Sequence, residues 1–451
     1  MLEYTVMMTV EETFRKVLPP DIDIIREYRT SEGHRADFVL VKGFEILACI
    51  EVKTDLSNRK ILALAQKQVR LYQNDIRSYW AIVTDGNRYY IQSITDDKFE
   101  EIESAEAILQ IILGINNENE KNASTDKDVS EIELLRRRFL EICKEYSNRI
   151  STIEQIEDVL KDVSNANCEV SPTRFSFKHS FENCFFQALL GTYAKEDVVR
   201  YIPFASAYRS LNEQTIGMVS LIGMNDVSEC YYADQYIAKK KGEKPSKNIL
   251  PAERKILNNT YILSCNDSSK EDDLTMWRLY GDNCKGACVK MLIEKDIIDK
   301  NDTFILAPVS YGQDEDTHQE LDFAHSILSI EVAGKNPTFE TWCYWKHFFK
   351  DYRYSVEKEV RLLYTGNGCG KRNWILVNDN EIPCTISIFP VKSLPNHSND
   401  FPMTLKEIII GSKCTDRETK ESQFKELIKE RNAGYDKDFT EVKLSKIDNY
   451  R

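Results

Sequence analysis

The sequence predicts an α/β chain in two parts: an N-terminal mixed sheet flanked by helices, then, beyond a helical linker, a larger α+β domain. Three observations lead there. From Met1 to about Ile115 short apolar runs of strand character alternate with helical stretches. Residues 116–130, NNENEKNASTDKDVS, then carry almost no apolar side chain and read as a solvated linker. A chain of 451 residues also exceeds a single core, since domains run at roughly 150 residues. The expected divisions are 1–115, then 116–165 for the polar linker and connecting helices, then 166–451.

Composition narrows the class. With 42% hydrophobic and 29% charged residues the chain is globular, and rod, collagen and wholly disordered readings are excluded. No apolar run reaches the ~18–20 residues of a membrane span. The opening MLEYTVMMTVEE also lacks the basic segment and apolar core of a signal peptide. A cytoplasmic protein with no membrane partner is expected. The 12 cysteines are scattered without a CxxC pair, which fits a reduced compartment. Cys284 and Cys288 with His318 and His325 match no zinc spacing. A net charge of −13 argues against coating nucleic acid through bulk charge, while leaving room for a local basic surface.

The elements follow in order. HRADFVLVKGFEILACIEVK, residues 34–53, holds two β-rich runs around Lys42-Gly43 and reads as a hairpin. Side chains alternate along the second run, so Ile50 and Val52 face one side while Glu51 and Lys53 share the other. Asp37 opens the partner strand and is brought beside them by the hairpin. Two neighbouring carboxylates suit a hard divalent cation such as Mg²⁺, with Mn²⁺ as the substitute, and the ammonium orients water or stabilises charge on a phosphate. The chemistry indicated is phosphodiester hydrolysis. In the following helix, KILALAQKQVRLY, Ile61, Leu64, Ala65, Leu71 and Tyr72 cluster on one arc with Gln68 near its centre. Lys60, Lys67 and Arg70 fall beside it as candidate phosphate contacts, which makes nucleic acid the expected partner. WAIVTDGNRYYI reads as strand, turn, strand, and AEAILQIILGI closes the first part as a helix.

Ser130 with Glu133 is a capping-box signal, with Ile132, Leu135, Phe139, Ile142 and Tyr146 at helical spacing behind it. A second connecting helix runs from Ile153 to Val163, and short β-like runs such as VRLLY and EIIIG follow further on. KKKGEKPSK, residues 239–247, reads as a solvated loop.

Residues 1–115 resemble the PD-(D/E)XK nucleases, most closely the N-terminal nuclease domain of type I restriction enzyme motor subunits. The residues that carry this are Asp37, Glu51-Val52-Lys53, Gln68 with Tyr72, and WAIVTDGNRYYI. The resemblance implies a restriction-endonuclease-like sheet in which Asp37 and Glu51 bind Mg²⁺, Lys53 assists the attacking water and the Gln68 helix completes the site. It also implies an upstream helical glutamate, for which Glu12 is preferred to Glu11. Ala36 stands where the signature has proline. No GxxxxGK[ST] sequence follows, so no translocating motor is expected.

Several stretches of the second part resemble the family called domain of unknown function (DUF) 2971: SLIGMNDVSEC, then YILSCNDSSKEDDLTMWRLYGDNCKGACVKM, YSVEKEVRLLY and LKEIIIGSKC, in that order. Relatives of that family occur in bacterial and phage-related settings, so beside a restriction-type nuclease the resemblance implies antiviral defence. Trp277, Arg278 and Tyr280 precede a Gly281-Asp282-Asn283 turn, which reads either as a ligand-recognition loop or as an aromatic core corner. Glu357, Glu359 and Arg361 share one face of a strand with Val360 and Leu362 on the other, the pattern of a half-buried strand. Arg209, Tyr280 and Glu359 loosely resemble the NAD-binding and catalytic groups of ADP-ribosyltransferases, and NAD enters only under that reading. The leading expectation is a DNA- or RNA-cleaving nuclease fused to a sensor of a nucleotide or phage-derived trigger. An NAD-directed transferase and a non-catalytic regulator are the alternatives, and the oligomeric state is left open.

Overall fold

The computed structural model describes residues 3–30, 33–42, 45–76, 78–94, 96, 98–113, 121–171, 173–224, 227–242, 251–300, 303–365, 371–377, 382–390, 401–431 and 440–447. The fold is mixed α/β. Its N-terminal part runs α1 (Glu3–Val17), β1 (Ile22–Arg29), β2 (Arg35–Lys42), β3 (Glu45–Val52), α2 (Arg59–Ile76), β4 (Trp80–Thr84), β5 (Tyr89–Ser93), β6 (Glu100–Ile102) and α3 (Ala105–Ile112). The six strands lie in sequence order. β3 and β4 are the parallel pair and the other neighbours are antiparallel. A parallel pair needs a crossover, and α2 provides it. The expected hairpin is present as β2 and β3, with residues 43–44 of its turn outside the described ones.

Alternation along β3 divides the core in two. Ile50 and Val52 pack with Val6, Val10 and Phe14 of α1 and with Ile108 of α3. Cys49 packs on the other face with Ala65, Val69 and Tyr72 of α2. Glu51 and Lys53 therefore project toward the α2 side. α2 departs from the expected arc: Ala65, Val69, Tyr72 and Gln73 are buried, whereas Leu64 and Leu71 are 67% and 46% exposed. Val69, left out of the expected arc, turns the helix so that Gln68 sits half-buried at its margin.

The expected start of the connecting helix at Ser130 also moves. α4 spans Lys121–Tyr146, so its first turns lie inside the polar run, and the side chains of 121–130 are not described. Its Ile132, Leu135, Phe139 and Cys143 are buried in one core with residues of α5 (Ile153–Lys161), which packs on α4, and of the helix His179–Leu190, which packs on α5. Beyond lies a ten-stranded sheet. In its interior the strand Glu359–Tyr364 pairs with Tyr261–Asp267 on one side and Phe304–Pro308 on the other. That strand is not half-buried as expected, because all six of its residues are buried. Val360, Leu362 and Tyr364 enter one core and Leu363 enters the other, so both faces are covered. Lys239 and Lys240 of the lysine-rich run end the helix Tyr232–Lys240, and residues 243–250 lie outside the described ones.

Candidate functional site

Asp37 reaches β3 through its backbone: the Val52 N–H donates to Asp37 Oδ2 at 2.8 Å. That places one carboxylate against the peptide that joins Glu51 to its neighbour. Across β1, Glu27 faces Asp37 with a left-handed backbone, φ 52°, between the pairs Arg26–Phe38 and Tyr28–Ala36. A non-glycine residue rarely adopts that conformation, and the irregularity falls beside the candidate acid. The Glu51 side chain is 2% exposed and the Lys53 ammonium, 23% exposed, donates to Glu51 Oε1. A carboxylate removed from water requires such a cation close by.

α2 covers the pair. Gln68 Nε2 donates to the Tyr72 hydroxyl, and burial pushes that hydroxyl's pKa up. The charges of Glu51 and Asp37 push it further, while Lys53 and Gln68 oppose them. One tyrosine thus lies in the field of both carboxylates and of the lysine. Asp37, Glu51, Lys53 and Gln68 converge on one side of the sheet, and two hard oxygen donors beside an ammonium fit Mg²⁺, which takes one or two protein carboxylates and completes its shell with water and phosphate. Among the described residues no group of three or more His, Cys, Asp or Glu is arranged around a metal position. The fit rests on the carboxylate pair.

The flanking candidates separate. Glu12 is exposed on α1, which packs on the Ile50/Val52 face, and no described contact links it to Asp37 or Glu51. Its neighbour Glu11 is engaged by Arg15 at 2.8 Å and by Arg26; burial alone would raise its carboxyl, but these two cations outweigh it and hold it below the usual value. Neither glutamate is brought to the pair, because the sheet lies between. Lys60 and Lys67 are exposed on α2. Arg70 is committed elsewhere: its Nε donates to Gln92 Oε1 at 2.7 Å and its guanidinium lies 5.5 Å from the Phe99 ring. His34 was not singled out by the sequence; it bonds Asp75 at 2.6 Å and lies 6.2 Å from the Tyr72 ring.

In the second part Trp277 is a core corner. It is fully buried, its indole N–H donates to Asp272 at 2.8 Å and its ring meets Tyr201 edge-on at 4.9 Å. Arg278 and Tyr280 are exposed, and the Tyr280 hydroxyl donates to Glu357. Arg209 is exposed on the helix Phe204–Glu213, with no described contact to Tyr280 or Glu359. Glu359 instead faces Arg361 at 2.8 Å and Lys350 at 3.2 Å. Lys350 also bonds Glu357 at 2.8 Å and Glu229 at 3.0 Å, and Arg361 bonds Glu229 at 2.6 Å. Burial alone would raise the Glu359 carboxyl, but Arg361 and Lys350 outweigh it and hold it at about 2. Burial likewise works against the charges on Lys350 and Arg361, and the carboxylates around them keep both protonated. Sequence reading missed Glu229 and Lys350 because neither lies on the strand: Lys350 comes from the short strand Phe349–Lys350 just before it and Glu229 from a segment far upstream.

Residues 276–362 match the family described as protein of unknown function, DUF2971. This is narrower than the expected span: SLIGMNDVSEC and LKEIIIGSKC fall outside it, while Trp277, Glu359 and Arg361 lie within. No curated protein matches the chain. Among solved structures, the type IIG restriction endonuclease BpuSI is similar at 12% identity and a TM-score of 0.19, over 52% of this chain and 24% of that one. The chain therefore spans about a quarter of that enzyme's length. In family terms, the described second part carries a segment similar to DUF2971, from the Trp277 helix to the Arg361 strand.

Proposed function

We propose that residues 1–115 form a metal-dependent nuclease and that the remainder senses a trigger or acts as a second effector, in the setting of prokaryotic antiviral defence. One observation carries the nuclease reading: Asp37, Glu51 and Lys53 meet on one side of β3, within the field of the Tyr72 hydroxyl that Gln68 holds. Asp37 and Glu51 would hold Mg²⁺ or Mn²⁺, which supplies Lewis acidity at a phosphate oxygen. Lys53 then has two uses, orienting a water beside the scissile phosphate and offsetting its developing charge. Lys60 and Lys67, exposed on the helix that covers the site, are the groups offered to backbone phosphates. Gln68 holds the Tyr72 hydroxyl, which lies in the field of the pair. No helix among the described residues is long and apolar enough to cross a membrane.

The test is direct. Purified protein is incubated with plasmid DNA, single-stranded DNA and RNA, each with Mg²⁺ or with chelator. Cleavage of at least one substrate in Mg²⁺ alone is expected. Absence of cleavage of all three in both Mg²⁺ and Mn²⁺ would remove the catalytic reading.

A further inference from the structure

The strand Lys371–Val377 ends the ten-stranded sheet: its inner edge pairs antiparallel with the strand Ile382–Pro390, and among the described residues no strand pairs with its outer edge. An unpaired edge offers a row of backbone N–H and C=O groups to any strand that arrives. The other edges of the two large sheets are blunted. β6 is three residues long and carries Glu100 and Glu101, while β1 exposes Asp23, Glu27 and Arg29 and is interrupted at the left-handed Glu27. The strand Glu441–Leu444 has four residues and exposes Glu441 and Lys443. The strand Phe304–Pro308 is largely buried and closes on a proline, which has no N–H to donate. Among these edges Lys371–Val377, KRNWILV, alone combines seven residues, no proline and exposed large apolar side chains: Trp374 is 69% and Leu376 62% exposed.

What such an edge accepts follows from its alternation. Arg372, Trp374 and Leu376 share one face, and Asn373 and Ile375 the other. A second copy related by a two-fold axis normal to the sheet arrives antiparallel with the same face on the same side, so exposed positions meet exposed positions. With Ile375 on the axis, Trp374 of each copy lies opposite Leu376 of the other, and the two exposed apolar groups of the edge cover one another twice over. The basic ends do not clash. Arg372 of one copy then lies roughly 20 Å from Arg372 of the other, at about 3.4 Å per residue, beyond the Debye length of about 8 Å in physiological salt. This match is built into the strand's own sequence, which favours a second copy over an unrelated peptide.

We propose that the protein is a homodimer in which two Lys371–Val377 strands pair antiparallel about a two-fold axis and join the two large sheets into one. The proposal is independent of the nuclease reading. Sedimentation velocity on the full-length protein between about 1 and 100 µM tests it, a range suited to an interface at the small end of specific ones. A shift from 52.4 kDa to twice that mass is expected across the range, with no larger species, because pairing uses up the open edge. Trp374→Lys and Leu376→Lys, each at an exposed position, should each raise the dissociation constant at least about tenfold. Hydrogen exchange gives a reading that needs no variant: amide protection in residues 371–377 should rise with protein concentration over the same range. A wild type that stays monomeric throughout, growth beyond the dimer, a dimer that either folded variant preserves, or exchange at 371–377 that does not respond to concentration would overturn the proposal.

Discussion

Neutralising Glu359 while keeping its shape, as Glu359→Gln, removes the carboxylate shared by Arg361 and Lys350 in a site that is 5% exposed. A carboxyl held at about 2 instead of the ordinary 4.5 favours its charged form by about 3 kcal/mol. Breaking a buried pair from one side costs about 3–5 kcal/mol, which agrees. For a domain of about 150–250 residues that corresponds to a fall in Tm of roughly 6–20 °C. The sign with pH follows from the depressed folded-state value. The stabilisation is fully present above the unfolded value and is lost as pH falls from about 4.5 toward 2. The gap in Tm between wild type and Glu359→Gln, followed by circular dichroism, should therefore be widest near neutrality and narrow across that acid range. A variant within about 1 kcal/mol of wild type at pH 7 would refute the view that this pair is buried and charged.

Other outcomes follow from the same geometry. Lys53→Ala should lower cleavage by about 10²–10⁴-fold while leaving Mg²⁺ affinity, measured by calorimetry, close to wild type. A fragment ending at Leu113 should fold alone and melt cooperatively, because both buried clusters of the N-terminal sheet close within residues 6–112. Trp277→Ala should destabilise the full-length protein by about 3–5 kcal/mol in denaturant, as for a large side chain removed from a packed core.

The legible features were local ones. Period-two alternation placed Ile50 and Val52 opposite Glu51 and Lys53, and strand runs around a lysine-glycine pair gave the hairpin. The arc of α2 was misjudged because Leu64 and Leu71 look like core residues, whereas the sheet-facing side is chosen by the close approach of Ala65 and Val69 to Cys49. Glu12 looked suitable by type, but only the layer order shows that α1 lies across the sheet from Glu51. The buried network of Glu359 was beyond local reading. Alternating charged and apolar residues normally mark a strand with one wet face, whereas here Lys350 and Glu229, both from outside the strand, join Glu359 and Arg361 in a mutually paired buried network. The polar run 116–130 likewise concealed the first turns of α4, since a helix without an apolar stripe carries no periodic signal.

The central claim is that Asp37 and Glu51 form the metal pair of a nuclease, and the most direct measurement is cleavage by wild type and Glu51→Gln side by side in Mg²⁺, with thermal melts confirming that both are folded. Loss of a metal-ligating charge in an otherwise isosteric side chain should remove cleavage by at least about two orders of magnitude and weaken Mg²⁺ binding. A folded Glu51→Gln protein that cleaves at the wild-type rate would contradict the assignment.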